Sequence, residues 1–422
     1  MTENYTESLA ASQHTTLNNQ QNEQLSDQLP LEIYLSDHYE FRFNCISNKT
    51  EVRLRAHEDW QHLDTRMLNS ILVAARKALP EERELKTQLT SIIYSCATPV
   101  WNPVTDWLGS LPAWDGRNRV THLFGLIPAI TAEQLYWLSV WLRSTVAHWL
   151  QMDTLHGNEC VPTLIGEQGC GKSTFCQRLL PTHLREYYLD HVNLSNKFDK
   201  EMALTNNLIV NLDELDQIKP HQQAELKQML SKVCVNGRPI YGREQSDRLR
   251  YASFVATTNN RHPLRDRTGS RRYICIEVPR GQEIDNTVEI EYEQLYAQLL
   301  AELALVGDPV THALKSLPGK QPQRFWFTTE ETRSIQRANV RFQNTLDMET
   351  MVETCFRQPE DSEFVSPLSS HEMLTIISNA YPAVQENEST RVRLGIALQH
   401  LGYQRDDGHL QRSYYAVPLQ VA

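Results

Sequence analysis

Apolar positions along this chain fall into alternating, helical and continuous patterns, and their order outlines a fold. Residues 1 to 28 are rich in Gln, Asn, Ser and Thr and have little to bury, the composition of a disordered tail. From Leu29 onward the pattern changes. Residues 39–45 and 51–55 alternate in strand fashion around Ser47-Asn48-Lys49, which reads as a hairpin turn. Two helical periods follow, at 64–78 and 82–95. Residues 131–152 form a long helical pattern with Leu135, Leu138, Trp141, Leu142, Val146 and Trp149 on one side, as expected for core packing.

Short continuous apolar runs then mark buried strands at 161–165, 207–212, 251–258 and 273–278, with helical patterns at 174–180, 221–233 and 288–305 and a polar hairpin at 238–250. Strands alternating with helices predict a parallel sheet with its site at the strand ends. Residues 327–331 read as a helix start capped by Thr328 or Thr329, and 359–367 as a linker. A helix opening at Ser370, a second at 391–401 closed by Gly402, and strands 403–405 and 411–417 around Asp406-Asp407-Gly408 give the order helix, helix, hairpin, that of a winged helix. The division expected is a tail (1–28), an α+β N-terminal domain (29–130), an α/β core (131–306), a helical connector and linker (307–368) and a winged-helix-like domain (369–422).

Composition narrows the function classes. In 422 residues the formal net charge is −11, which argues against a general polyanion-coating protein, so nucleic-acid binding must come from local basic patches. The eight cysteines are scattered without a C-x-x-C pair or metal-ligand spacing, and the reading is free thiols in a reducing cytoplasm. No N-terminal stretch has the signal-peptide form. The most apolar long segment, 135–150, holds Arg143 and His148 and is not expected to span a membrane.

Gly166-Glu167-Gln168-Gly169-Cys170-Gly171-Lys172-Ser173 reads G-x-x-x-x-G-K-S, the phosphate-binding loop of P-loop NTPases, and it lies between a strand and a helix pattern as that motif requires. Its glycines let the backbone N–H groups, with those of Ser173 and Thr174, face the phosphates of ATP. Lys172 would reach the β- and γ-phosphates, and Ser173 would ligate Mg²⁺. Asp213-Glu214 closes an apolar strand at the Walker B position: Asp213 would hold Mg²⁺, and Glu214 would polarise the attacking water. Asp216 reads as a solvated helix-start acid. Asn259 ends the next buried strand after Thr257-Thr258, where its amide would orient that water.

Arg271 or Arg272 would act as an arginine finger into a neighbouring subunit's nucleotide, which requires a homo-oligomeric ring. Residues 234–280 hold ten arginines, no lysine and four acids, an electrostatic footprint for DNA. The hairpin supplies Arg238, Tyr241, Arg243, Arg248 and Arg250 as candidates to track a single strand, and the C-terminal domain supplies Arg391, Arg393, Arg405 and Arg412 for duplex DNA.

Together these motifs resemble superfamily 3 helicases of viruses and mobile elements. Asn102-Pro103-Val104, Trp114-Asp115-Gly116, Arg238-Pro239-Ile240-Tyr241-Gly242-Arg243 and Gly269-Ser270-Arg271-Arg272 resemble more closely the virulence-associated protein E family of phages and genomic islands. The likeness covers residues 35–305. It implies an AAA+-like P-loop ATPase core, a ring that is usually a hexamer, a role in replicating element DNA with host or element replication proteins, and Lys172, Ser173, Asp213, Glu214, Asn259 and a finger at 271 or 272 as its site. No primase-polymerase signature precedes the core, so residues 29–130 are expected to form a collar or DNA-docking domain. The expectation is an ATP-dependent DNA helicase or replication initiator. Its competitors are a nucleotide-gated DNA-binding assembly protein without helicase activity and a monomeric P-loop NTPase.

Overall fold

The computed structural model describes residues 29–152, 157–218, 220–237, 246–264, 270–343, 348–360, 363–381, 384–406 and 412–419. The expected tail lies outside them. The chain folds as two compact units, one running through Asn259 and again over Arg271–Ile335, the other made of Asn260–Ser270 and the chain from Gln336 onward.

The first unit opens with α1 (Pro30–His38), a helix that the apolar pattern did not reveal because only Leu31 and Leu35 face a core. Strands β1 (Tyr39–Asn44) and β2 (Lys49–Leu54) pair antiparallel, Tyr39 opposite Leu54 and Asn44 opposite Lys49, with Asn48 at φ 57° in the turn. With β3 (Gln61–His62) and β4 (Val100–Trp101) they form a four-stranded sheet in the order β3-β2-β1-β4. Helices α2 (Thr65–Ala78) and α3 (Leu85–Ile93) cover it, and Val52, Ile71, Leu72, Leu89 and Ile93 share a core with α1.

Helices α4 (Pro103–Ser110), capped by Asn102, and α5 (Arg119–Gly125) pack elsewhere. Their Val104, Leu108, Val120, Leu123 and Phe124 belong to the main core with Trp141 and Leu164. The main core therefore reaches across the boundary expected at residue 130: it takes in α4 and α5, and also Ile46 from the β1–β2 turn. Helix α6 (Ala132–Trp149) starts at a capping box between Thr131 and Gln134. It is buried nearly all round, which explains its weak amphipathicity, and its Arg143 is held by Glu302 and by the Arg324 carbonyl. Each of its large apolar side chains contributes roughly 1.5–3 kcal/mol on burial.

The central layer follows in chain order: β5 (Val161–Ile165), α7 (Lys172–Gln177), β6 (Tyr188–Leu189), α8 (Lys197–Thr205), β7 (Ile209–Leu212), α9 (Pro220–Ser231), a hairpin of β8 (Cys234–Gly237) and β9 (Ser246–Leu249), β10 (Ser253–Thr258) and β11 (Tyr273–Glu277). The sheet has the order β11-β5-β10-β7-β6 with every pairing parallel. The fold is thus mixed α/β around a parallel sheet, as expected. The chain leaves β5 for one edge of the sheet and returns from β10 to the other, so the crevice lies beside the C-terminal end of β5. Helix α10 (Tyr292–Glu302), the pair β12 (Leu305–Asp308) and β13 (Ala313–Ser316), and α11 (Thr329–Ala338) complete this unit, the last crossing its boundary at Ile335. Thr328 caps α11 reciprocally with Glu331.

The second unit contains α12 (Met348–Cys355), β14 (Phe356–Arg357), β15 (Leu368–Ser369), α13 (Ser370–Ala380), α14 (Glu388–His400), β16 (Arg405–Asp406), β17 (Ser413–Tyr414) and β18 (Val417–Pro418). Strands β15, β17 and β16 form a small antiparallel sheet, and β14 pairs with β18. Met351, Val352 and Cys355 share its core with Leu374, Leu394 and Tyr414, so the compact part starts before residue 369. Among the described residues no helix is long and apolar enough to cross a membrane.

Candidate functional site

The loop after β5 is shaped by its glycines. Gly169 and Gly171 lie at φ 84° and 86°, in the left-handed region that a side chain disfavours. A Cβ at Gly171 would meet Asn286 Nδ2 at 2.5 Å, and that same amide donates to the Gly171 carbonyl at 3.0 Å. Ile284 N donates to the Cys170 carbonyl at 3.0 Å, so the segment after β11 braces the loop from outside. Glu167, Gln168, Ser173 and Thr174 are exposed along the mouth of the loop and the first turn of α7, while Gly166 and Cys170 are buried.

Lys172 is 7% exposed, and its ammonium spends its donors inside the site. It donates to the carbonyls of Gly166 and Glu167, each at 2.8 Å, and to Asn259 Oδ1 at 2.9 Å. The loop is thereby tied to the end of β10, the strand beside β5. The rest of that strand end is equally committed. Thr257 donates its hydroxyl hydrogen to Asp213 Oδ1 and Thr258 donates to Asp216 Oδ1. Both threonines are buried, whereas Asp213 is exposed. Asp216 is thus one of the acids bound to this strand end, not merely a solvated helix-start acid.

Glu214 is exposed at the C-terminal end of β7 and holds a left-handed backbone, φ 53° and ψ 51°. For a residue with a Cβ that conformation is strained, and strain of this kind gathers at functional positions. Beneath the site, burial and the nearby Asp213 push the Cys176 thiol up to about 12, which keeps it neutral in the packing of α7.

The two arginines before β11 differ. Arg271 is exposed. Arg272 is half-buried and anchored within its own chain, with Nε 3.2 Å from Glu159 Oε2 and Nη2 donating to Ser231 Oγ at 3.2 Å.

The arginines expected to contact DNA also separate. Arg238, Tyr241 and Arg243 lie outside the described residues, as does Gly269. Arg248 donates to Glu201 Oε2 at 2.8 Å. Arg250 requires a correction: it is 0% exposed and its guanidinium donates to four main-chain carbonyls, of Ala252, Leu230, Lys232 and Asn158. Burial pushes its pKa down to about 10, so it remains a cation inside the protein and does not reach solvent, let alone DNA. In the second unit Arg391, Arg393, Arg405 and Arg412 are all exposed, the first two on α14.

The model of the virulence-associated protein E-like domain matches residues 108–344, more than half of the chain. Two apo structures of the NrS-1 C-terminal region are similar, with TM-scores of 0.44 and 0.42 and 13% and 14% identity, each covering 92% of this chain and 98% of that one. A structure described as SCCmec type IV Cch, an active helicase, has a TM-score of 0.31 and 12% identity over 90% of this chain and 92% of its own. No curated protein matches the sequence.

Proposed function

The chain belongs to the virulence-associated protein E-like family, and from that premise we propose that it is an ATP-driven DNA helicase or replication initiator of a phage or mobile genetic element. In this reading the first unit is an AAA+-like P-loop ATPase, nucleotide binds between subunits of a ring, and the second unit is a winged-helix-like DNA module carrying Arg391, Arg393, Arg405 and Arg412. The observation that carries it is the bond from Lys172 to Asn259, because it joins the loop, the nucleotide-binding lysine and the water-orienting amide in one cluster.

The roles follow from the chemistry of each group. Lys172 exchanges carbonyl partners for phosphate oxygens and balances their charge. Ser173 and Asp213 are oxygen donors of the hard kind that suit Mg²⁺, an ion that needs few protein ligands when phosphates supply others. When bound it would neutralise charge on the transferred phosphoryl group. Thr257 fixes the Asp213 carboxylate. Glu214 takes up the proton of the attacking water, and Asn259 orients that water. Arg271, free to leave its own surface, reaches a neighbour's nucleotide. Arg272, already engaged within its chain, is not the finger.

The test is steady-state ATP hydrolysis with and without single-stranded DNA. Strong stimulation, absent in Arg271→Ala and restored when that variant is mixed with Glu214→Gln subunits, is the expected result. Turnover indifferent to DNA and to Arg271 would leave a monomeric NTPase or a nucleotide-gated assembly.

A further inference from the structure

Arg272 and Arg250 grip the same two stretches of chain from different sides. Ser231, which accepts from Arg272, is the last residue of α9, three positions before β8 begins. Arg250 follows directly on β9, and its Nη1 donates to the carbonyls of Leu230 at 2.8 Å and Lys232 at 2.5 Å, on either side of Ser231. The second stretch is Asn158-Glu159, which approaches β5. Arg250 Nη2 donates to the Asn158 carbonyl at 3.3 Å, and Arg272 Nε pairs with Glu159 at 3.2 Å.

The geometry has a simple consequence. The carbonyls at a helix C-terminus lack intrahelical partners, and here a buried guanidinium supplies them. Both feet of the β8–β9 hairpin are therefore fastened to one node: the β8 foot through the end of α9, the β9 foot through Arg250 itself. Arg272 fastens the start of β11 to that same node. Its neighbour in sequence is the exposed Arg271.

We propose that Arg272 is a positioning residue that couples Arg271 at the subunit interface to the β8–β9 hairpin through Ser231 and Glu159. Engagement of Arg271 by a neighbour's nucleotide shifts the start of β11, and the shift passes to the end of α9 and so to both hairpin feet. Nucleotide turnover and hairpin displacement become one event. This inference rests on the reading of Arg271 and the hairpin given above.

The experiment uses the full chain with Ser231→Ala, Glu159→Gln and the double variant, none of which touches the nucleotide site. Hydrolysis is measured with and without oligo(dT), alongside thermal unfolding. Basal turnover should stay within about twofold of wild type, while stimulation by DNA falls about tenfold in the double variant, within the range of ordinary coupling energies. Because both residues serve one guanidinium, the double variant should lose far less than the product of the single losses. Should the double variant melt early, Ser231→Ala, which removes one hydroxyl, carries the test alone. Stimulation equal to wild type, or basal and stimulated rates falling by one factor, overturns the coupling. A wild type that DNA does not stimulate overturns the helicase reading itself, so the two failures are distinct.

Discussion

The loop at 166–173 and the arginine-rich stretch at 234–280 are both dense in motif residues, yet they differ in how residue type maps onto role. In the loop each residue's role follows from backbone geometry. Gly169 and Gly171 have positive φ, and Lys172 sits where the strand–loop–helix path puts it. In the arginine-rich stretch one residue type does different jobs. Arg250 is sealed among carbonyls, Arg248 pairs with Glu201, Arg272 ties Ser231 to Glu159, and Arg271 faces solvent. A long flexible cation takes its role from whatever the fold places within its reach. A glycine turn carries its role with it.

That contrast is sharpest where single substitutions are expected to act on opposite properties. Lys172→Ala should abolish ATP turnover while the protein stays folded, since β5 and β10 are held together by their own parallel pairing and not by the ammonium alone; a variant with wild-type turnover would remove the loop from the chemistry. Arg271→Ala should lower turnover by about 10³-fold, the lower end for an arginine finger, with unchanged unfolding. Arg250→Ala should do the reverse. It leaves four carbonyls without their donor and should cost about 3 kcal/mol or more in urea unfolding, so an unchanged midpoint would refute a structural role. The smallest effect concerns pH. The Arg324 guanidinium beside Glu331 holds its carboxyl down to about 2, below the usual 4.5. A carboxyl lowered by folding stabilises above its ordinary value, and that contribution is lost as pH falls from about 4.5 through 2. Glu331→Gln should therefore be less stable than wild type at neutral pH, by a modest margin since the pair is partly exposed. The two should converge toward pH 2 in acid-titrated thermal melts.

Much of the fold was legible because its signals are local. The strand runs 161–165 and 273–278, the cap at Thr328, and the hairpin turn at Asn48 are each set by residues a few positions apart. What escaped depends on distant partners. Nothing in sequence distinguishes the apolar residues of α4 and α5 as belonging with Trp141 and not with Ile71, so the expected division at 130 did not anticipate their packing. The pairing of Thr258 with Asp216 needs β10 beside β7, an adjacency fixed only by the sheet order. Arg250 looked like a DNA contact because it stands among the ten arginines of residues 234–280, at the end of the expected hairpin. The carbonyls that claim it come from residues 158, 230, 232 and 252.

The left-handed backbone at Glu214 sets a conflict between heat resistance and turnover. A glycine there would relax a strain of about 1–2 kcal/mol, while removing the carboxylate that the proposed hydrolysis requires. A pool of variants selected only for survival on heating would enrich glycine or asparagine at that position. It would return proteins that melt later and that, on the proposed function, bind nucleotide without hydrolysing it. Any stabilisation campaign on this chain therefore needs a turnover counter-screen, because Glu214, one of the residues at positive φ where a glycine would relieve strain, is also the one to which the proposed hydrolysis assigns the water.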